Sequence, residues 1–344
     1  MGGVHPKAFG YWPQLDVVRF LAFLGVFLSH GLHGFSFYGQ RLIDAGGFGV
    51  IIFFVLSSYL ITSLLQIEMR NSGTLNIPAF WARRALRIWP LYFGFLLLAV
   101  AGLSWKSSFP HLGWFSIFLG NWSCVLFGFP PNVTAPLWSV SVEEQFYLLW
   151  PVFLIVFGLT RLRALCLALI AVAVAARLIL TLRSAGHTAF WCSTFTQLDS
   201  IACGSLLALY SAPGRRIGAA VRVLWIVAGF VAIVAVALIG GFDGAWSIPG
   251  YLVVSLAACA FIVAFGSMAA DAPLVRPLAY LGRISYGLYV FHTLALAITH
   301  RLPGPPLLAL GAAFSLTILL AALSFHFFES PFLRLKRRFA VVQS

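Results

Sequence analysis

The stretch GYLVVSLAACAFIVAFGSM, residues 250–268, decides the fold class, because its 19 residues include no charged side chain. An α-helix needs about 20 apolar residues to cross the hydrocarbon core of a bilayer. Further apolar runs of similar length recur along the chain, and short polar segments separate them. A transmembrane β-barrel would instead show alternating segments of about ten residues, which the sequence lacks. These runs predict an all-α, polytopic integral membrane protein folded as a helical bundle.

The composition excludes a soluble protein. Of the 344 residues, 61% are hydrophobic and 9% are charged, whereas soluble domains carry roughly 25% charged residues. The net charge of +13 is typical of a membrane protein with basic cytoplasmic loops, so we expect the lipid bilayer as a partner and no nucleic acid. The five cysteines fall singly, without the paired spacing of a metal site. We therefore expect neither a bound metal nor a disulfide framework.

The apolar runs predict about ten transmembrane helices in a single domain, residues 1–344. The predicted spans are 14–34, 47–66, 88–105, 141–159, 164–182, 198–212, 221–239, 250–268, 284–300 and 306–328. The first span lacks a small-residue cleavage site, so we expect a retained helix and not a signal peptide. Residues 113–127 are also apolar, but this run is short and is soon followed by FPP (129–131). It predicts one short re-entrant or interfacial segment.

The loop charges support this count and predict an orientation. With ten spans and the N-terminus inside, 17 of the 22 lysines and arginines fall on the inner side. Arg177 lies inside a span, and the outer side receives the other cations, which are Arg41, Lys106, Arg183 and Arg301. An eleventh span at 113–127 would invert every later loop and remove the excess of basic residues expected in cytoplasmic loops. We therefore predict that both termini are cytoplasmic.

The first predicted helix carries three ionisable residues, which are expensive inside a membrane and therefore point to function. Arg19 and His30 are eleven positions apart, which is about three helical turns, or ~16 Å along one face. Asp16 lies one turn from Arg19, close enough to pair with it. The helix is thus predicted to present an Asp–Arg pair near the cytoplasm and an imidazole towards the other side. The alternative is a structural histidine that is hydrogen-bonded between helices.

A second polar group, WSVSVEEQFY (138–147), is predicted to open a helix. Helix capping is one account of its serines and of Glu143 and Glu144. Because a hydrophobic run follows directly, we expect at least one of these carboxylates to face the bundle, without deciding which. A carboxylate beside an imidazole fixes the tautomer that a general base requires. In the predicted topology His30 and the two glutamates share the outer half and could meet.

The third group is RRALR (83–87), just before the third predicted helix at the cytoplasmic face. Arg83 and Arg87 are predicted to share one helical face, and guanidinium groups bind phosphates bidentately. An ordinary basic flank of a membrane helix is the alternative interpretation of this group. Its combination with a histidine–glutamate site favours the binding of an anionic ligand by Arg83, Arg84 and Arg87.

The sequence resembles the acyltransferase-3 family of bacterial membrane O-acyltransferases. Eight stretches in family order carry the resemblance: LDVVRFLAFLGVFLSHG (15–31), GFGVIIFFVLSSYLI (47–61), RRALRIWPLYF (83–93), LGNW (119–122), LWSVSVEEQFYLLWP (137–151), LDSIACGSLLAL (198–209), RISYGLYVFHTLAL (283–296) and FHFFESPF (325–332). The resemblance implies a multi-pass protein of the bacterial inner membrane. It also implies acylation of saccharides, lipopolysaccharide O-antigens, periplasmic glucans or macrolide sugars.

The resemblance implies roles for matched residues. Arg19 and His30 match the essential Arg–His pair of the first helix, and the three arginines at 83, 84 and 87 match a motif thought to engage the acyl donor. Glu143 and Glu144 match the acidic motif, and His292 matches a recurrent histidine of a late helix. Other recurrent positions, without an assigned role, are Asn121, Trp138, Asp199, Tyr286 and Glu329.

The sequence departs from the family pattern at two points. It reads Ser57-Ser58 where relatives usually have Ser-Gly, and a hydroxymethyl group at that glycine position is expected to alter helix packing. We also expect no appended extracytoplasmic hydrolase-like domain of the kind that some relatives carry.

These residues predict acyl transfer from acyl-CoA, a co-substrate, to a hydroxyl of a saccharide or glycan, with no tightly bound cofactor. His30 is the expected general base, and His292, Tyr286 or Asn121 are expected to stabilise the oxyanion. Trp138 and Asp16 are further candidate contacts. Direct transfer and an acyl-histidine intermediate both stay open, as does the choice of an acetyl, succinyl or longer acyl group. The alternative functions are a proton-coupled transporter, with Asp199 in the relay, and a non-catalytic scaffold.

Overall fold

The computed structural model describes residues 11–33, 36–102, 105–211, 216–273, 275–301 and 303–339, and gives only the backbone for 105–110 and 337. All regular structure in this part of the chain is helical, so the predicted all-α class is confirmed. Among the cations used to predict the orientation, Lys7, Arg215 and the side chains of Lys106 and Arg337 lie outside the described part of the structure.

Fifteen α-helices follow one another in the described residues. They are α1 (Pro13–Gly31), α2 (Phe37–Asp44), α3 (Gly49–Ser72), α4 (Ile77–Gly102), α5 (Trp105–Ser116), α6 (Gly120–Phe127), α7 (Trp138–Leu182), α8 (His187–Cys192), α9 (Leu198–Tyr210), α10 (Ala219–Leu238), α11 (Gly244–Gly266), α12 (Val275–Arg283), α13 (Ser285–Thr299), α14 (Pro306–Leu323) and α15 (Ser330–Lys336). A π-helical turn, Ser324–Glu329, joins the last two. Helix α1 packs against α3, α11, α12 and α13, which places it inside the bundle.

The number of membrane spans differs from the prediction of ten. In the described part, seven helical segments are long and apolar enough to cross a bilayer, or up to eight if the pair α12–α13, bent by 70°, forms one span. Two predicted spans, 141–159 and 164–182, fall in one segment of that count, α7, although a kink at Gly158, with a φ of 67° that favours glycine, divides this segment into two helical parts. A third, 198–212, is the 13-residue α9, whose length of about 20 Å is too short for a hydrocarbon core of about 30 Å. The chain is a multi-pass membrane protein, but ten spans are not confirmed.

The stretch predicted to be re-entrant or interfacial forms two short helices, α5 and α6. The chain breaks between them at Phe118, whose φ of 57° is left-handed. Tyr92 of α4 donates a hydrogen bond to the Phe115 carbonyl at 2.8 Å and holds this break against the bundle. Neither helix is long enough to cross a bilayer. The location of the segment relative to the membrane stays a prediction.

The serine at the family's usual glycine position is accommodated by a glycine on the facing helix. Helices α3 and α9 approach closely where Gly204 faces Ser58, and a Cβ at residue 204 would lie 2.1 Å from both the Ser58 Oγ and the Val55 carbonyl oxygen. The Ser58 hydroxyl donates back to that same carbonyl at 3.0 Å, so it is buried without a lost hydrogen bond. The close packing of the two helices is therefore retained.

Candidate functional site

A cavity lies among α1, α3, α4, α7 and α13. Its volume, including the opening, is about 880 Å³. Its polar wall consists of Arg19, Arg84, Arg87, Glu143, Tyr147, Tyr286, Tyr289, Ser57, Ser139 and Ser285. Its apolar wall consists of Val50, Phe53, Phe54, Leu56, Leu60, Ile61, Ile88 and Val140. The lining therefore combines cationic, hydroxyl and apolar side chains, which suits a ligand that has both an anionic and a weakly polar part.

The cationic part of the cavity is built by α4 and α1. Arg84 and Arg87 are three residues apart on one face of α4, and Arg19 of α1 completes the group. No described residue hydrogen-bonds or forms a salt bridge with the Arg84 guanidinium. Its Nε is buried without a partner, and its Cζ lies 5.6 Å above the Tyr147 ring. The side chain is partly exposed and lines the cavity, so this guanidinium is available to an anionic ligand.

Arg83 does not line the cavity, although it lies about one helical turn from Arg87 on α4. Its Nη2 lies 3.4 Å from the Glu68 carboxylate, and its Nη1 donates to the Phe339 carbonyl at 2.6 Å. Glu68 is buried and also accepts a hydrogen bond from the Asn76 backbone at 2.8 Å. Arg83 therefore ties α3 and the C-terminal segment to α4, and its role in donor binding stays a prediction.

The predicted pairing of Asp16 with Arg19 is confirmed, since their side chains form a salt bridge. Tyr11 donates a second hydrogen bond to the Asp16 carboxylate at 2.6 Å, and Arg283 donates to the Tyr11 hydroxyl at 3.2 Å. Burial and the adjacent carboxylate raise the pKa of Tyr11, so its phenol stays protonated at neutral pH. Asp16 itself does not line the cavity; it holds Arg19 in position, and Gly282 packs directly against its carbonyl.

The two histidines of the predicted site form a stacked pair. The Nδ1 of His30 lies 2.8 Å from the Nε2 of His292, and the rings are nearly parallel, with centroids 5.1 Å apart. His292 is fully buried, and its Nδ1 lies 2.6 Å from the Tyr289 carbonyl oxygen. His30 is exposed at the end of α1.

The contacts of this pair assign its protons. A carbonyl oxygen can only accept, so the Nδ1 of neutral His292 carries the hydrogen and its Nε2 is an acceptor. The Nδ1 of His30 must then donate to that acceptor, which leaves the lone pair on the Nε2 of His30. This is the nitrogen that a general base would use, and the chain from Tyr289 through His292 fixes its tautomer.

His30 takes its hydrogen-bonding partner from His292 and not from Glu143 or Glu144, which corrects the contact with the glutamates predicted from the sequence. Glu143 lines the cavity beside the hydroxyls of Ser57 and Tyr147, which are 2.6 Å apart. It lies within electrostatic range of Arg19, about three turns from His30 on α1. No hydrogen bond or ion pair joins either glutamate to His30 within the described ranges.

Of the two glutamates, Glu143 is therefore the one that faces the cavity. Glu144 turns to the other side, where Trp89 donates to its Oε2 at 2.9 Å. Its Oε1 is buried without a hydrogen-bond partner in the described part of the chain.

Tyr289 stands between the cavity and the histidine pair. Its side chain lines the cavity, its ring centroid lies 5.5 Å from that of His292, and neither histidine is part of the lining. The Tyr289 hydroxyl is held by Ser139, at 2.7 Å, and by the Pro136 carbonyl, at 2.9 Å. Tyr289 therefore connects the cavity to the histidine pair.

The remaining predicted contacts fall in different surroundings. Tyr286 lines the cavity and donates to the Ile88 carbonyl at 3.0 Å. Asn121 lies outside the lining, where it donates to Thr194 at 2.9 Å and accepts from Gln145 at 2.9 Å. Trp138 also lies outside the lining and packs against other aromatic rings. Roles for Asn121 and Trp138 in oxyanion or acceptor contact stay predictions.

Asp199, proposed for a proton relay in the transporter alternative, is held in a buried ion pair. Arg177 donates to its carboxylate at 2.6 Å, and both side chains are fully buried. Arg177 also donates to the Thr196 carbonyl at 2.6 Å and stacks over the Tyr251 ring. The pair joins α7 to α9 away from the cavity, so it does not support the transporter alternative.

Sequence reasoning missed the hydroxyl groups of the site. Tyr289 precedes His292 by three residues, a helical spacing that brings its carbonyl near the imidazole, and this was a usable signal. Ser57 was noticed only as the neighbour of the packing position Ser58, and Ser139 only as a possible helix cap. Among the described residues, no group of three or more histidines, cysteines or acids is placed to hold a metal ion.

Comparison with known proteins gives a family. The family model described as "Acyltransferase domain" matches residues 12–326. "Peptidoglycan O-acetyltransferase OatA" of Listeria monocytogenes is 28% identical over 356 residues, which cover 93% of this chain and 56% of that protein. "Putative O-acetyltransferase SAS0844" of Staphylococcus aureus is 28% identical over 358 residues, which cover 95% of this chain and 58% of that protein.

The chain spans a little over half the length of these curated relatives. No solved structure matches it. The family match nevertheless runs through α1, the cavity and the histidine pair, which are the parts of the bundle where the chemistry-bearing residues converge. The chain belongs to the acyltransferase-3 family of membrane O-acyltransferases.

Proposed function

We propose that this protein transfers an acyl group, in the first place acetyl, from acyl-CoA to a hydroxyl of a saccharide or glycan. The observation that carries the proposal is the stacked pair of His30 and His292, which leaves one free imidazole lone pair beyond a cavity with an anion-binding end. The names of the relatives, which include a peptidoglycan O-acetyltransferase, support acetyl as the group and a glycan as the acceptor. We place the protein in the bacterial inner membrane with both termini cytoplasmic.

The donor enters with its phosphates at the arginine end of the cavity. Arg84 has no hydrogen-bonding partner among the described residues, and Arg19 and Arg87 line the same wall. Guanidinium groups are suited to phosphate because their planar donors match its oxygens. The apolar residues of the same lining accommodate the weakly polar arm that carries the thioester.

Transfer occurs at His30. Its Nε2 takes the proton of the acceptor hydroxyl while the hydroxyl oxygen attacks the thioester carbonyl, and the C–S bond then breaks. The leaving thiolate receives the proton from the His30 imidazolium, so no proton is gained or lost overall. His292 accepts the hydrogen bond from the His30 Nδ1 throughout and stabilises the imidazolium.

Glu143 has a different role from the one that a His–Glu pair would give it. It shares the cavity with Arg19 and with the hydroxyls of Ser57 and Tyr147. A carboxylate at this place offsets the charge of the arginines when no donor is bound. Replacement of Glu143 therefore changes the affinity for the donor more than it changes the rate of the chemical step.

The experiment compares membranes that contain the wild type, His30→Ala or His33→Ala. Each is incubated with a panel of acyl-CoA donors and saccharide acceptors, and CoA release and acylated product are followed. We expect wild type to use acetyl-CoA and His30→Ala to lose about 10²–10⁴-fold in rate, the usual contribution of a general base. His33 is the matched control, because it is an exposed histidine whose side chain, among the described residues, hydrogen-bonds only to the His30 carbonyl, at 3.0 Å.

Three outcomes decide the proposal. Turnover by wild type and His33→Ala but not by His30→Ala supports it. Equal turnover by all three proteins would show that His30 is structural. A folded wild type that consumes no acyl-CoA would remove the donor assignment. The acyl-histidine route predicts in addition that label from acetyl-CoA stays on the protein when the acceptor is omitted.

A further inference from the structure

The Arg19 guanidinium is held at the cavity by one carboxylate oxygen. Arg19 lines the cavity together with Arg84 and Arg87, and its Nη1 forms the salt bridge with the Oδ1 of Asp16. Among the described residues, this carboxylate is the one hydrogen-bonding partner of Arg19. A guanidinium carries five N–H donors in a planar fork. Arg19 can therefore stay paired with Asp16 and still donate to an anionic ligand.

Tyr11 occupies the second oxygen of the same carboxylate. Its hydroxyl donates a hydrogen bond to the Oδ2 of Asp16 at 2.6 Å, and Asp16 is buried, with 1% of its surface exposed. A carboxylate with both oxygens free accepts two parallel hydrogen bonds from one guanidinium. Because Tyr11 holds Oδ2, Arg19 is restricted to Oδ1, and its other donors are left for the cavity.

Arg283 fixes the direction of the Tyr11 hydrogen bond. Its Nη2 donates to the Tyr11 hydroxyl oxygen at 3.2 Å, and its Cζ lies 5.2 Å above the Tyr11 ring. An arginine cannot accept, so the single hydrogen of the phenol is directed to Asp16. The backbone carbonyl of Arg283 also accepts a hydrogen bond from Arg87 at 3.2 Å. Tyr11, Asp16 and Arg283 all lie outside the cavity lining, yet their contacts reach two of its cations.

We infer that Tyr11 is a positioning residue of the cavity, which keeps the Arg19 guanidinium available to an anionic ligand by occupying one oxygen of Asp16. Without the Tyr11 hydroxyl, Arg19 takes both Asp16 oxygens in a bidentate pair, and a ligand must break one of these bonds in order to bind. The inference rests on the proposed function in one respect, which is that it takes the ligand to be the CoA donor.

The test measures the binding of CoA and of inorganic pyrophosphate to the purified full chain in phosphatidylcholine nanodiscs. Tyr11→Phe retains the ring beneath Arg283 and removes only the hydroxyl. We expect it to weaken the binding of both probes about tenfold, the effect of one additional charge-assisted hydrogen bond in the unliganded protein. In steady-state acetyl transfer it should raise the KM for the donor and leave kcat unchanged, as a change in uniform binding does.

Tyr280→Phe is the matched control. Tyr280 is a half-exposed tyrosine on α12, outside the cavity lining, and its hydroxyl lies 3.2 Å from the Nε2 of His326. This variant should bind both probes like wild type. An equal loss of affinity in Tyr280→Phe and Tyr11→Phe would overturn the inference, because the effect would then not depend on Asp16.

A double-mutant cycle separates this role from simple packing. Asparagine has one side-chain oxygen, so in Asp16→Asn the bidentate pair with Arg19 cannot form, with or without the Tyr11 hydroxyl. Tyr11→Phe should therefore cause no further loss of binding in the Asp16→Asn protein. Arg19→Gln provides a second cycle if Asp16→Asn does not fold, and Tyr11→Phe should again add nothing. The same loss in all backgrounds would show that Tyr11 acts by packing, and would overturn the inference.

The two probes separate failure of this inference from failure of the proposed function. If Tyr11→Phe binds CoA and pyrophosphate with wild-type affinity, the positioning role is overturned and the donor assignment stands. If wild type binds pyrophosphate in a Tyr11-dependent way but does not bind CoA, the positioning role stands and the donor assignment fails. A folded wild type that binds neither probe overturns both.

Discussion

Replacement of His292 tests the assignment of the catalytic tautomer. In the structure the Nε2 of His292 accepts the hydrogen bond from the Nδ1 of His30, at 2.8 Å. His292→Phe keeps a flat ring in the fully buried site but removes this acceptor, so the His30 imidazolium that forms in the transition state loses its partner. His292→Gln retains a side-chain carbonyl oxygen that can accept the same bond.

The expected magnitude follows from that one bond. A hydrogen bond to a charged group contributes about 1.5–3 kcal/mol. At about 1.36 kcal/mol for each factor of ten, His292→Phe should lower kcat by roughly 10- to 150-fold. The KM for the acyl donor should change little, because His292 does not line the cavity. His292→Gln should retain most of the rate.

The assay is steady-state acetyl transfer by purified protein, with CoA release followed at saturating acceptor. Thermal unfolding of each variant checks that the buried site still packs. A folded His292→Phe enzyme with the kcat of wild type would refute the tautomer assignment. Equal losses in the Phe and Gln variants would show that His292 acts by shape and not as an acceptor.

Three further predictions concern donor binding and stability. Arg84→Gln should raise the KM for the donor about tenfold or more, because charge-assisted hydrogen bonds are lost. Arg83 lies outside the cavity lining, so Arg83→Gln should change this KM far less, and steady-state kinetics of the two variants checks the difference. Asp199→Asn leaves the buried Arg177 without its counter-charge and should lower the free energy of unfolding by about 3–5 kcal/mol. The measurement is a lower midpoint of thermal unfolding, while the protein that stays folded should bind the donor with wild-type affinity. Gly282→Ala should also lower the midpoint of thermal unfolding, because its Cβ would lie 1.8 Å from the Asp16 carbonyl oxygen and would force α1 and α12 apart. A midpoint equal to that of wild type would contradict the close approach of these two helices.

The sequence predicted the fold class because long apolar runs are a direct consequence of membrane thickness. It could not predict the number of spans, since a run of apolar residues does not say where a helix continues. At Gly158 a non-helical φ kinks α7, close to the break that the sequence predicted between two spans. The short α9 is apolar because it is buried against α3 and α7, and not because it spans a bilayer.

The sequence predicted which residues belong to the candidate site better than it predicted which of them contact one another. His30 and His292 were both singled out, but the partner of His30 was sought among the glutamates. Contacts between helices depend on the vertical position of each helix, which a single sequence does not determine. The rotation of α4 posed a similar problem, because spacings of three and four residues both place side chains on one face. Only the structure distinguishes Arg84 with Arg87 from Arg83 with Arg87.

The most direct test of the central claim is a single-turnover measurement with labelled acetyl-CoA, in which binding and transfer are followed on the same preparation of wild type and His30→Ala. The account predicts that both proteins bind the donor with similar affinity, because His30 does not line the cavity. Only wild type should pass the label to a saccharide acceptor, with transfer by His30→Ala slower by about 10²–10⁴-fold. Transfer by a folded His30→Ala protein at the wild-type rate would contradict the claim that the free nitrogen of His30 is the base.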